Sequence, residues 1–391
     1  MHPRLMLTGE SIVDLGAMED LYAEWDALAV ACALPQMSPA WVLAWWRALA
    51  PDGAAPRVVA VRDAGRLVGL APFFVEPGRG GRVDYRLPGI ELAVRLAPLA
   101  LPGREWHVAE TVAHVLARAD PRPDAIALEG TPLASHWPAA LCARWPGPVR
   151  AIAWQYALYG CPTVSLRAPS YEAWLEGKSA SFRRETRRHR RAFLAEGGSV
   201  RMSTRATLSD DIAAFVRLHT ARWQSLGASN LVARGERMPA MLEDVGESLV
   251  AQGRFRLMML EIDGEPVSAH LALAAGGEVL FVNTGWDERF ARLSPSSVNM
   301  LYALEHAFAC GDRRVDLGLG EQAYKQRVAD GDDPVAWVLI ATPGRRLALT
   351  LLRSAPLLAR YAVRDAATRA LSAEQAQRLR AARRRLSGGA G

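Results

Sequence analysis

Three tight turns, each set between apolar runs, constrain this chain most. Asp263-Gly264 separates residues 255–262 from 266–275, and Gly276-Gly277 separates that run from 279–286. Asp63-Ala64-Gly65 does the same between residues 57–62 and 67–75. Two-residue hairpin turns need positive φ, so Asp-Gly between hydrophobic runs is a strong hairpin signal. Both halves of the chain must therefore hold antiparallel sheet.

Helical patterns are interleaved with these hairpins. They cover residues 17–33, 105–118, 182–195, 210–226, 238–252 and 295–309, the last with Ser294 expected as its cap. Another opens at Ser38-Pro39, where serine caps and proline fills the first helical position. Further strands are expected at 125–128, 151–156, 199–206, 314–319 and 335–342, with a polar turn at 321–327 between the last two. Each half runs through helices, a strand, a hairpin and an apolar strand carrying small residues, which suggests a duplicated domain. The expected class is α/β (α+β), with two tandem domains of mixed, mostly antiparallel sheet flanked by helices. The domains are set at 1–165 and 166–345, followed by a basic helical tail at 346–391.

Composition excludes several classes. No run reaches the roughly 18 to 20 apolar residues that cross a bilayer; the best, 87–101, is broken by Glu91 and Arg95. No leader-like apolar run follows Met1, so the expected location is cytoplasmic. Cys32, Cys142, Cys161 and Cys310 form no CxxC and have no histidine at ligand spacing. They read as reduced core cysteines, and no metal is expected. No P-loop, dinucleotide fingerprint or nucleophile elbow is present.

The net charge of +6 is unevenly placed, with arginine blocks at 183–191 and 378–385. Each block is either a solvated face or a grip on phosphates, anionic lipid or an acidic polymer. The first lacks interleaved aromatics, which argues against a nucleic-acid stacking platform, and no DNA partner is expected. Of 47 basic residues only Lys178 and Lys325 are lysine. Lysine brings a compact charge on a flexible stem, with a pKa that burial can move. Lys325, in a polar turn after a strand, is therefore the leading candidate for a functional cation. The leucine-rich start of the tail either covers a core or touches a membrane.

Three segments carry a family resemblance: Ser181 with the arginine block through Gly197-Gly198, residues 263–269, and residues 311–320 followed by Tyr324-Lys325. Over about residues 170–342 the chain resembles the GNAT-type acyltransferases of the CelD-like family of cellulose and exopolysaccharide biosynthesis. More distantly it is similar to the Fem-type aminoacyltransferases, which carry two tandem GNAT folds. One departure stands out: the family's Ser-Pro-Gly helix start is Ser294-Pro295-Ser296 here. The resemblance implies transfer of an acyl group, acetyl foremost, from acyl-CoA (acetyl-CoA) to a small-molecule or saccharide-linked acceptor. It sets Arg289, Arg292, Ser294, Ser296 and Ser297 at the carrier's pyrophosphate. Lys325 would neutralise a phosphate or developing oxyanion, with Tyr324 as a donor beside it or a packing residue. Asp316 would orient Lys325, take the acceptor's proton, or act as a structural ion pair. His270 is either a general base or a buried structural histidine. Two rivals remain: a Fem-type transferase using aminoacyl-tRNA, and a non-enzymatic accessory of a polysaccharide assembly. The basic tail is a candidate contact with a membrane surface or a synthase complex.

Overall fold

The computed structural model describes residues 7–77, 81–90, 92–224, 235, 237–320 and 322–370. Glu321, the ends of two expected segments and the 378–385 arginine run lie outside them. The first half comprises β1 (Thr8–Ile12), α1 (Leu15–Asp20), α2 (Tyr22–Ala31), α3 (Pro39–Leu49), β2 (Ala55–Asp63), β3 (Arg66–Pro77), β4 (Val83–Arg86), β5 (Leu99–Ala100), α4 (Glu105–Leu116), β6 (Ala125–Pro132), α5 (Trp137–Arg144) and β7 (Ile152–Tyr159). The second opens with β8 (Pro162–Ser165), α6 (Tyr171–Glu176), α7 (Ala180–Ala195), β9 (Gly198–Met202), α8 (Leu208–Gln224) and α9 (Arg237–Leu249). It continues through β10 (Phe255–Ile262), β11 (Glu265–Ala275), β12 (Glu278–Trp286), α10 (Pro295–Ala309), β13 (Arg314–Asp316), α11 (Ala323–Val328), β14 (Gly331–Asp332), β15 (Val335–Ala341) and α12 (Leu347–Ala370).

All three turns are two-residue hairpins with both central residues at positive φ: Ala64 and Gly65, Asp263 and Gly264, Gly276 and Gly277. That conformation matches the right-handed twist of the strands it joins. The strands form two mixed sheets. The first runs β1-β2-β3-β4-β6-β15-β7 with β5 beside β3, and the second runs β14-β8-β13-β12-β11-β10-β9. The late strand β15 inserts between β6 and β7 of the first sheet, while β8 pairs with β13 in the second. Chain passes between the sheets in both directions.

The core is also shared. Ser38 caps α3 by accepting from the Trp41 N–H, and Trp41 and Trp45 are fully buried. They belong to one cluster with Phe215 of α8, Val245 of α9 and Leu257 and Leu271 of the second sheet. The close approach is visible at Gly276, where a Cβ would sit 2.1 Å from the Val30 carbonyl oxygen. The opposite face of the second sheet is covered by α6, α7 and α10 through Trp174, Phe182, Phe193 and Leu304. Helices thus flank both sheets, and α12 makes the C-terminal part helical.

Several local expectations are corrected. The strand at 314–319 ends at Asp316, and Tyr324-Lys325 lies in the short helix α11 rather than a turn. Ser294 makes no side-chain cap bond to α10, because its left-handed backbone (φ 52°, ψ 50°) directs the side chain elsewhere. Cys310 is exposed rather than in the core, and the four cysteines are free.

Candidate functional site

The second sheet opens at its centre. β12 pairs antiparallel with β11 along its whole length, with a bulge that leaves Val282 unmatched. On its other side β12 pairs parallel with β13 for only three residues, Glu278↔Arg314 to Leu280↔Asp316. Beyond Asp316 the chain keeps to β8 and its approach: Leu317 donates to the Pro162 carbonyl at 2.9 Å and Gly320 to that of Gly160 at 3.0 Å. Among the described residues, no strand covers the far edge of β12 over 281–286. Such an edge presents backbone N–H and C=O groups that require partners.

Buried charge fixes the parting point. Asp316 is fully buried and its Oδ1 accepts the Gly318 N–H at 2.8 Å. Its Oδ2 accepts from Arg95 Nη2 at 2.8 Å and Nε at 3.1 Å. Arg95 comes from the first half and also donates to the Asp333 carbonyl at 2.7 Å. Two guanidinium donors on one carboxylate oxygen and a backbone N–H on the other satisfy the buried carboxylate, which such a pair needs to compensate its own desolvation. Asp316 thus forms a buried ion pair, one of its three expected roles. It also orients Lys325, though only through the turn between them.

Lys325 Nζ donates to the Gly318 carbonyl at 3.1 Å and the Leu319 carbonyl at 2.8 Å. Burial pushes its pKa down to about 8, against the opposing pull of the Asp316 carboxylate. Lys178 Nζ donates to the Val328 carbonyl at 2.7 Å and lies 4.8 Å from the Trp174 ring centre. Both lysines of the chain thus hold α11, one beneath it and one at its end. A compact ammonium on a flexible stem meets converging carbonyls where a planar fork fits poorly.

His270 faces the same side of the sheet as Asn299 and Phe281. Its Nδ1 lies 2.6 Å from Thr284 Oγ1, its register partner on β12. Nε2 is buried without a hydrogen-bond partner, and the ring stands edge-on to Phe281 at 4.3 Å. Burial, with the Lys325 charge adding to it, pushes its pKa down to about 3. The ring is neutral at physiological pH and a weak base, as a buried structural histidine would be. On the sheet's other face His219 Nδ1 lies 3.1 Å from the Thr284 carbonyl oxygen. That packing needs Gly285, where a Cβ would sit 2.4 Å from the His219 backbone nitrogen.

The start of α10 lies apart from Lys325 and His270 in role. Ser297 and Val298 N–H groups both donate to the Ser294 carbonyl, at 3.0 and 3.1 Å, and Pro295 has no N–H to give. Ser296 and Ser297 are half-buried. Arg289, 64% exposed, pairs with Glu265 at 2.5 Å and Asp287 at 2.6 Å. Arg292, 61% exposed, pairs with Glu196 at 2.6 Å. Exposed pairs are weak and screened by solvent, so these carboxylates are displaceable partners.

A shallow, open pocket lies between α7, α10 and α11. It brings Ser297 and Tyr324 together with Phe182, His189 and the Glu185–Arg327 ion pair. Tyr324 is 48% exposed, whereas its neighbour Lys325 is buried. Burial and the charge of Arg188 push the pKa of His189 down, which favours its neutral form. Sequence reasoning missed Arg95, Thr284 and the pocket role of His189. The one signal for Arg95 was an arginine inside an otherwise apolar run.

Residues 180–326 match the acetyltransferase (GNAT) domain family. The fold is accordingly GNAT-like, with two helix-flanked mixed sheets. Among solved structures, FemX is similar at a TM-score of 0.59 and 11% identity, over 86% of this chain and 98% of its own. The C-terminal domain of an Agrobacterium fabrum protein described as a lysylphosphatidylglycerol synthetase gives 0.54 and 12%, over 87% and 97%. A Bacteroides thetaiotaomicron protein of unknown function gives 0.50 and 12%, over 86% and 100%. At these identities the likeness is one of fold. No curated protein matches the chain. Among the described residues no helix is long and apolar enough to cross a membrane, and no three His, Cys, Asp or Glu side chains gather to hold a metal.

Proposed function

We propose that the chain is an acyltransferase that moves an acyl group, acetyl foremost, from acyl-CoA to an amine or hydroxyl. One observation carries this reading: the uncovered edge of β12 over residues 281–286, inside the segment that matches the acetyltransferase family. An extended carrier arm fits there as a strand would, and backbone N–H groups on that edge can meet the thioester carbonyl. Fixed donors aimed at a developing oxyanion commonly supply more of the rate acceleration in acyl transfer than any other single effect.

Side chains then divide the work. Lys325 contributes positive potential through the turn it holds and does not itself reach the acyl group. Tyr324 presents a phenol at the pocket, protonated at neutral pH, as the proton donor for the departing thiolate. His189 lines the same pocket and accepts the acceptor's proton. Ser296, Ser297, Arg289 and Arg292 take the pyrophosphate, the two arginines by exchanging their carboxylate partners for it. Likeness to the CelD-like family points to a saccharide-linked acceptor.

Calorimetric titration with acetyl-CoA, paired with thiol release in the presence of amine and sugar acceptors, tests the reading. Saturable binding with Tyr324-dependent and His189-dependent thiol release is expected. Absence of both would end it. A second donor, an aminoacyl group on tRNA, is favoured by the exposed arginine row Arg184, Arg187, Arg188 and Arg191 on α7. Ribonuclease-sensitive activity would select that donor instead.

A further inference from the structure

Helix α12 carries two apolar faces. Leu347, Thr350, Leu351, Ser354, Leu358 and Tyr361 are buried or half-buried, and the helix packs on β7 and β15. Tyr361 lies 4.9 Å from the Tyr156 ring. Helical spacing puts these six on one side. Leu349, Leu352, Pro356 and Val363 share the opposite side, with Leu352 and Val363 71% and 70% exposed. A surface helix normally turns charged and polar residues outward; this one turns out an aliphatic stripe.

Charge supplies the second observation. Residues 345–391 hold eleven arginines against Asp365 and Glu374, a net +9. The whole chain carries +6, so residues 1–344 sum to −3. Positive charge and the outward stripe occur on the same segment, and the body carries the opposite sign.

We propose that α12 forms an interfacial anchor on an anionic bilayer surface. Its aliphatic stripe enters the headgroup boundary, and arginines meet the lipid phosphates. The acidic body is repelled, which orients the protein with its first sheet toward the lipid. A nucleic acid would engage the arginines and leave the aliphatic stripe wet. A second copy would bring the same positive charge against this face.

Flotation of the full chain with phosphatidylcholine vesicles, with and without phosphatidylglycerol, tests this. Binding should require phosphatidylglycerol and weaken as salt is raised. Leu352→Ser combined with Val363→Ser leaves the charge intact and alters only exposed positions. It should lower the partition coefficient about tenfold, from the lost aliphatic burial, with an unchanged melting temperature. Failure of the wild type to float at low salt would overturn the proposal. So would equal flotation of the double variant, which would mean charge alone binds. A dimer in light scattering that this variant abolishes, without vesicle binding, would assign the stripe to a second copy and equally overturn it.

Discussion

Replacing Lys325 by methionine probes the hinge of the site, and its pH dependence has a definite sign. The ammonium donates to two carbonyls, Gly318 and Leu319. Charged-donor bonds contribute about 1.5–3 kcal/mol each. Against them stands the burial cost: a pKa near 8 in the fold against 10.5 in the open chain corresponds to about 3 kcal/mol. Lys325→Met is therefore expected to lower stability at pH 7 by at most about 3 kcal/mol. Between pH 8 and 10.5 folded Lys325 releases its proton while the unfolded chain keeps it. The unfolded state then binds more protons, so this group adds stability as pH rises. From pH 8 to 9.5 the wild type should gain about 1.5–2 kcal/mol relative to the variant. Urea unfolding followed by tryptophan fluorescence, at matched pH for both proteins, reads the difference directly. A gap that stays flat or narrows with pH would refute the buried-ammonium account.

Two further outcomes follow from the same geometry. Arg95→Ala strands the buried Asp316 carboxylate without its partner and should cost about 3–5 kcal/mol. A double-mutant cycle with Asp316→Asn should show strong coupling, and additive losses would contradict the pairing. His270 stays neutral in the fold while the unfolded chain protonates below about 6.5. Its contribution to stability should fall by about 2 kcal/mol from pH 7 to 5. His270→Gln should flatten that slope in thermal melts, and identical slopes would show that the ring is not buried as described.

Elements closed by local chemistry were legible in the sequence. Asp263-Gly264 and Gly276-Gly277 need only their own backbone preferences to make hairpins, and Ser38-Pro39 opens α3 as capping rules require. Elements decided by distant contacts were not. β15 reads as an ordinary apolar strand, and nothing within it says that it pairs with β6 and β7 rather than with nearby strands. β13 stops three residues short of its apolar pattern because Leu317 and Gly320 bond to the β8 side. The rarity of lysine did point to Lys325 as a special position. Its actual partners, two backbone carbonyls, are set by the turn that Asp316 and Arg95 hold. Arg95 lies 221 residues away in the chain, so no local pattern could pair them. Ser294 shows a local rule overridden: serine before proline predicts a cap, but the backbone turns left-handed there.

Hydrogen–deuterium exchange with and without acetyl-CoA tests the central claim most directly, because it reads the amides of β12 themselves. The account predicts slower exchange across residues 282–285, where no strand among the described residues covers the edge, together with slowing at Ser296. Saturable acetyl-CoA binding that leaves those amides exchanging at their unliganded rate would contradict it.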